Sequence, residues 1–468
     1  MFKRFQRIHF VGIGGIGMSG IAELLVNLGY AVSGSDLKSS PTTERLSQLG
    51  AKIYLGHDAR HVNEAHVVVF SSAVPSQNPE LIEARRLQRP VISRAEMLAE
   101  LMRLKYGIAV AGAHGKTTTT SMVAGVLNEA KFDPTLIVGG RLNALGINAR
   151  LGGGEWMVVE ADESDRSFLK IDPTIAVITN IDREHLDHYR DLRDIQDAFV
   201  SFANKVPFYG SVIACIDDDS TRAILPRLER RVMTYGRLEA ADLGVGEVTL
   251  GKFESDFEVH VKGKTLGKFH VQVPGYHNIL NAMAAVAVGL ELNAPLTAIQ
   301  KGLAEFRGME RRFEWKGEHR GVAVIDDYGH HPTEITATLA TLKRCGFRRS
   351  IVAFQPHRYS RTKFLFDDFL HAFDQADEVV LTEIYPASEP ALEGITGQSL
   401  YERMQQESRA NIHFVPRVEE IAAFLLPRLR RGDVVLTLGA GNIAMAGTEL
   451  VALLTRQENK ASRLEAGS

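Results

Sequence analysis

The stretch Gly112–Thr120, GAHGKTTTT, limits what this chain can fold into more than any other. It follows a strand-like run at residues 107–111, GIAVA, and leads into a helix-like run, SMVAGVL, from Ser121. Strand, glycine turn, Lys-Thr and helix is an arrangement that holds a nucleoside triphosphate. Backbone N–H groups of the turn and the free N–H groups of the helix start point at phosphate oxygens. Lys116 would reach the β- and γ-phosphates, and the Thr117 hydroxyl would ligate Mg²⁺. Gly112, Ala113, His114, Gly115 and Thr118 complete the expected cradle. Val110 stands where the eight-residue form of the motif has its first glycine, so the loop is the shorter G-x-x-G-K-T.

A second glycine turn lies near the N-terminus. Residues 7–17 read RIHFVGIGGIG, a strand followed by Gly12, Gly14, Gly15 and Gly17. A helix-like run from Ile21 and a second strand ending at Asp36 follow. Glycines let the backbone approach a pyrophosphate, and an acidic residue about 20 positions on takes a ribose hydroxyl. By itself this pattern signals NAD, or a tight turn with no ligand. Further strands at 52–55 and 67–70 predict a small doubly wound sheet. Its ligand would sit at the carboxyl ends of the strands, where Gly12–Gly17 and Ser71 fall.

The helix-like segment 94–105, RAEMLAELMRLK, reads as the connector to the phosphate-loop unit. Strand-like runs at 136–138, 156–160 and 175–179 each end in polar residues. Glu160 opens EADESDRSF, and Thr179 opens TNIDREHLDHY, which contains His185. A carboxylate ending a neighbouring strand is the usual second partner of phosphate-loop Mg²⁺. Glu160 has that place, with Asp162 and Glu163 as substitutes, and His185 could bind a second divalent ion. Residues 232–273 read as a small antiparallel excursion. PGYHNILNA then opens a helix on which His277 and Asn281 share a face. Together they could hold a purine, although helix capping explains the segment equally well.

FRGMERRFEW, from Phe306, reads as a basic linker. A third α/β unit starts with the strand at 321–325 and the loop DDYGHHP, and continues through QPHRYSRT at 355–362 and strands at 378–382 and 433–438. Arg358 and Arg361 are planar, bidentate donors suited to carboxylate or phosphate. His330, His331 and His357 fit structural and functional roles equally.

A chain of 468 residues has room for about three such domains. A formal net charge of -3 offers no basic field for nucleic acid. The basic N-terminus runs straight into a glycine-rich strand-turn rather than a signal peptide, and no run of about 18 apolar residues predicts a membrane span. Cys215 and Cys345 are far apart and form no metal-binding spacing, which suits the cytoplasm.

Taken together, these motifs resemble the Mur ligases of bacterial cell-wall synthesis over the full length of the chain. The resemblance rests on GIGGIGMSGIAE (12–23), GSD (34–36), AGAHGKTTTT (111–120), EADESD (160–165), TNIDREHLD (179–187), PGYHNILNA (274–282), GMERRFE (308–314), DDYGHHPTE (326–334) and QPHRYSRT (355–362). It implies a three-domain α/β fold. A Rossmann-like UDP-sugar-binding domain spans 1–100, a central phosphate-loop ATPase domain 101–311 and a Rossmann-like amino-acid-binding domain 312–468. Gly12, Gly14, Gly15, Gly17, Asp36 and Ser71 would then grip a UDP-sugar, displacing the NAD reading. Residues Gly112–Thr118 with His277 and Asn281 would bind ATP, and Thr117, Glu160 and His185 would hold Mg²⁺. Arg312, Asp326, His330, His357, Arg358 and Arg361 would serve the transferred phosphate, the substrate carboxylate or the incoming amino acid. The match lies nearest the branch that joins L-alanine to UDP-N-acetylmuramate through an acyl phosphate, in a cytoplasmic monomer or weak homodimer. Some siblings carry a carbamylated lysine shortly after the histidine ligand. Here the next lysine is Lys205, so no carbamate is expected. The rival readings are a sibling that adds a murein tripeptide, an NAD-dependent oxidoreductase and a non-catalytic nucleotide-sugar sensor.

Overall fold

The computed structural model describes residues 5–71, 73–138, 149–387 and 389–466. Among the described residues there are three sheets, one after another along the chain. In the first, five parallel strands lie in the order 52–55, 31–36, 7–11, 67–70, 91–93. Strand order reverses at Arg7–Val11, where open α/β sheets leave a crevice at the carboxyl ends. The glycine turn leaves from that point.

The second sheet has ten strands, centred on Tyr106–Ala111 between Trp156–Glu160 and Ile175–Ile178. These three strands are parallel and almost wholly buried, as expected of strands covered on both faces. The phosphate-loop helix begins at Lys116, not Ser121. β-Branched threonines weaken a helix only slightly, and here the hydroxyls of Thr120 and Ser121 donate back to the carbonyls of Lys116 and Thr117, each at 2.8 Å. Gly302 brings a neighbouring helix against it so closely that a Cβ there would lie 2.7 Å from Val126 Cα.

The expected excursion at 232–273 is part of this same sheet. Val232–Gly236 pairs in parallel with Ser211–Cys215, and the hairpins of 243–250, 255–261 and 264–271 continue outward antiparallel. A sheet edge left bare would expose unpaired backbone groups, and the added strands satisfy them.

The third sheet has six strands, ordered 314–319, 322–327, 433–438, 349–354, 378–381, 411–414. Glu314–His319, EWKGEH, is an antiparallel edge strand that the sequence did not predict; its first two residues fall in the expected linker, 306–315. Its charges mark a solvated edge, which hides the strand from an apolar pattern. The true connection is short. Met309 is buried in the core of the second unit and accepts a hydrogen bond from Ser121 at 3.2 Å. Two residues later, Arg311 donates to Asp326 and to the carbonyls of Gly439 and Gly441, all in the third unit.

No described helix is long and apolar enough to cross a membrane. Cys215 and Cys345 are buried free thiols.

Candidate active site

The phosphate loop is shaped by two glycines with positive φ, Gly112 at 144° and Gly115 at 80°. Such angles suit glycine, and space forbids more: a Cβ on Gly115 would lie 2.5 Å from Asn281 Oδ1. Asn180 clamps the loop from the neighbouring strand end. Its Oδ1 accepts from the His114 backbone N–H at 2.8 Å, and its Nδ2 donates to the His114 carbonyl at 3.0 Å.

Lys116 folds back over this loop. Its ammonium donates to the carbonyls of Gly112 (2.6 Å) and Ala113 (3.2 Å) and to Glu163 Oε1 (2.8 Å). Burial opposes its charge, but Glu163, Glu160 and Asp162 hold its pKa above the ordinary lysine value. Thr117 Oγ1 donates to Glu160 Oε2 at 2.9 Å, so these two expected metal ligands meet. His185 lies with a different pair, its Nε2 3.6 Å from Glu163 and 3.5 Å from Glu184. Glu163, Glu184 and His185 present ligand atoms within 4.8 Å of one another. Glu163 Oε2 is buried with no hydrogen-bond partner among the described residues. An oxygen-rich set with an unused buried carboxylate oxygen fits a hard divalent cation.

A cavity of about 440 Å³ opens beside the loop, between the second and third units. His114, Gly115, Thr118, His277, Asn281 and Arg312 line it, together with Asp327 and Glu334. Asn281 is tied into the loop's support: its Oδ1 accepts from Thr119 at 3.1 Å and its Nδ2 donates to Asn278 at 3.2 Å. Burial, reinforced by Arg312, lowers the His277 pKa to about 4, leaving a neutral ring on the wall. His114 is the opposite case. Burial works against its charge, but Asp182 at 2.9 Å and Glu334 at 3.4 Å raise its pKa to about 10. Glu334 belongs to the third unit, and Thr333 beside it donates to Asp182 at 2.8 Å. The loop therefore touches the third unit directly.

Sequence reasoning chose Asp326, whose two oxygens are engaged by Arg311 (3.0 Å) and Thr437 (2.6 Å). Its neighbour Asp327 is the one on the cavity wall, and burial raises its pKa to about 6 against the pull of Arg312. Asp182, Glu184, Asp327 and Glu334 were missed as individual residues, although all lie within the motifs TNIDREHLD and DDYGHHPTE.

The arginine loop faces the His185 region. Arg361 Nε lies 3.4 Å from Glu184, and Arg358 3.8 Å from Asp187. Burial pushes the Glu184 carboxyl up, but Arg361, with His114 and His185, holds it down to about 2. His357 stacks on Tyr385 with centroids 5.6 Å apart and lies 5.7 Å from His330. Burial and nearby arginine charge lower the pKa of His330 to about 4 and of His357 to about 3, so both rings are neutral at pH 7.

On the other side, the N-terminal glycine turn borders a second cavity of about 300 Å³. Gly15, Gly17 and Ser71 line it on one side, Glu160 and Asp162 on the other. Arg94 bridges the two sides, donating to Asp162 at 3.1 Å. Asp36 Oδ2 accepts the Gly14 N–H at 2.8 Å and so shapes the turn itself.

Three sequence models match in tandem: "Mur ligase family, catalytic domain" over residues 7–106, "Mur ligase middle domain" over 110–289 and "Mur ligase, glutamate ligase domain" over 311–441. A UDP-N-acetylmuramate–L-alanine ligase from Solibacter usitatus is 54% identical over 461 residues, 98% of each chain. Among solved structures, a UDP-N-acetylmuramate–alanine ligase from Thermotoga maritima superposes with a TM-score of 0.81 at 31% identity, covering 96% of this chain and 99% of that one. A murein peptide ligase from Psychrobacter arcticus shares the fold at a TM-score of 0.70 and 24% identity, covering 96% and 98%. With its three domain matches in order and its full-length likeness to these enzymes, the chain belongs to the Mur ligase family.

Proposed function

We propose that this chain joins L-alanine to UDP-N-acetylmuramate, consuming ATP and releasing ADP and phosphate, in the assembly of peptidoglycan precursors in the cytoplasm. One observation carries the reading: Glu160 is shared. It accepts from Thr117 of the phosphate loop and lines the cavity of the N-terminal glycine turn. A sugar-borne acid held by that turn would arrive at the phosphate loop.

Condensing a carboxylate with an amine needs an activated acyl group. The lactyl carboxylate oxygen attacks the γ-phosphorus of ATP, ADP leaves, and an acyl phosphate results. The alanine nitrogen then attacks the carbonyl carbon, and the tetrahedral intermediate collapses with loss of phosphate. Lys116 exchanges its loop carbonyls and Glu163 for phosphate oxygens, offsetting charge on the group in transfer. Arg358 and Arg361 suit the alanine carboxylate. The neutral rings of His330 and His357 add no further positive charge against the arriving alanine ammonium, which loses one proton before attack and a second as the amide forms. Thr117, Glu160 and the Glu163–Glu184–His185 group would hold Mg²⁺, which when bound supplies charge neutralisation.

Likeness at 54% identity to enzymes named for L-alanine favours this substrate over the tripeptide of the sibling ligases. Phosphate release from ATP and UDP-N-acetylmuramate, measured across amino acids and the murein tripeptide, tests it. Release with L-alanine is expected, abolished by a chelator. Release with tripeptide alone would overturn the reading.

A further inference from the structure

Away from the reaction centre, the first unit buries a polar cluster that the mechanism above does not use. Glu80, at the start of the helix Pro79–Arg86, is fully buried. Its Oε2 accepts from Ser35 Oγ at 2.5 Å and lies 3.1 Å from His57 Nδ1. Its Oε1 lies 2.6 Å from His61 Nδ1 and 3.5 Å from His9 Nε2. One carboxylate thus gathers two strands, the loop after Gly56, a short helical turn and its own helix.

The backbone shows what this gathering serves. The Ser35 carbonyl accepts the N–H groups of both Gly12 and Ile13, at 2.9 and 3.0 Å. The next residue, Asp36, accepts the Gly14 N–H. The Asp36 carbonyl accepts from Gly56, immediately before His57. The successive residues Ser35 and Asp36 therefore set the path of the glycine turn, and Glu80 fixes Ser35 from below. Burial alone would push the Glu80 carboxyl up, but His9, Ser35 and His61 lower it to about 2, so it stays an acceptor at neutral pH.

We infer that Glu80 is a positioning residue for the UDP-sugar site, holding the Gly12–Gly17 turn in register through Ser35 without touching the ligand. The inference rests on the proposed function, because it assigns a ligand to that turn. Replacing a carboxylate oxygen by an amide NH₂ sets a donor against donors, so Glu80→Gln disturbs the cluster at constant size. Ser35→Ala removes the hydroxyl's two links, to Glu80 and to His57 Nδ1 at 2.9 Å, and leaves the Glu80 contacts with His9, His57 and His61.

The test is steady-state kinetics of the full chain, with calorimetric titration of UDP-N-acetylmuramate and a melting curve for each variant. In both variants the KM for the UDP-sugar is expected to rise roughly tenfold, as for loss of a buried hydrogen bond, with kcat and the KM for ATP unchanged. Glu80→Asp, which keeps the charge and the acceptors, is expected to recover part of the affinity. If the native chain binds no UDP-sugar, the functional reading itself fails. If the native chain binds it and a folded Ser35→Ala binds it equally well, the positioning role fails. The same holds if kcat falls with the melting temperature while KM stays constant. Should Glu80→Gln not fold, Ser35→Ala decides the matter alone.

Discussion

The two glycine turns of this chain share a plan and differ in chemistry. Each leaves the carboxyl end of a central parallel strand and opens a helix. The turn at Gly112–Gly115 is crowded with charge: Lys116 lies against Glu163, with Glu160 on Thr117 and an imidazolium at His114. At Gly12–Gly17 a carboxylate, Asp36, is tied to the turn's own backbone, and the other charges at its cavity, Arg94, Glu160 and Asp162, come from elements outside the turn and its helix. A backbone cradle suffices to bind a phosphate. Moving one requires a mobile cation and carboxylates to place it.

Breaking the first turn should therefore stop chemistry, and breaking the second should weaken binding. The largest effect is expected from Lys116→Ala. Turnover should fall by about a thousandfold, the scale of losing a positive group on a transferring phosphoryl. UDP-N-acetylmuramate should still bind, as titration calorimetry would show; a variant with near-native turnover would remove the lysine from the mechanism. A smaller loss is expected from Gly14→Ala. The new Cβ would lie 2.9 Å from Asp36 Oδ2 and 3.0 Å from Thr43 Cγ2, forcing the turn to shift. The KM for the UDP-sugar should rise roughly tenfold while the KM for ATP holds, since a one-methyl clash of this kind costs about 1–3 kcal/mol. A matching rise in the ATP value would blur the contrast between the turns.

The smallest effect concerns pH. His114 titrates near 10 in the folded chain, above the value of about 6.5 for an unfolded one. Its paired charge therefore contributes stability that is fully present below about pH 6.5 and is lost as pH rises through about 10. The melting temperature should drop across that window, and His114→Ala should flatten the drop. An unchanged slope in the variant would mean that the Asp182 and Glu334 contacts do not matter to stability.

Much of the fold could be read directly from the residues. The strand–turn–helix at 106–129 announces itself because its apolar strand, glycines and lysine are contiguous, and the same holds for residues 7–27. Ligand-sized features assembled from distant segments were less legible. Nothing near Asp182 says that Thr333 will donate to it across two domains, or that Glu334 will face His114. Adjacent strand residues point to opposite faces, and the sequence does not say whether Asp326 or Asp327 meets the cavity; here it is Asp327. Glu314–His319 escaped notice because an edge strand can be charged on both sides and still pair.

The connection between the second and third units has a mechanical corollary. Met309 is anchored in one body and Arg311 in the other, which leaves Glu310 as the place where a swing can occur. Phe313, whose N–H is held by Asp327 at 2.7 Å, lies beyond that pivot. Arg312, between Arg311 and Phe313, is flanked by anchors of the third body, donates its N–H to the Met309 carbonyl at 3.2 Å, and forms part of the wall beside the phosphate loop. Rotation of that body would act as a lever, carrying a guanidinium toward or away from the nucleotide in a single stroke.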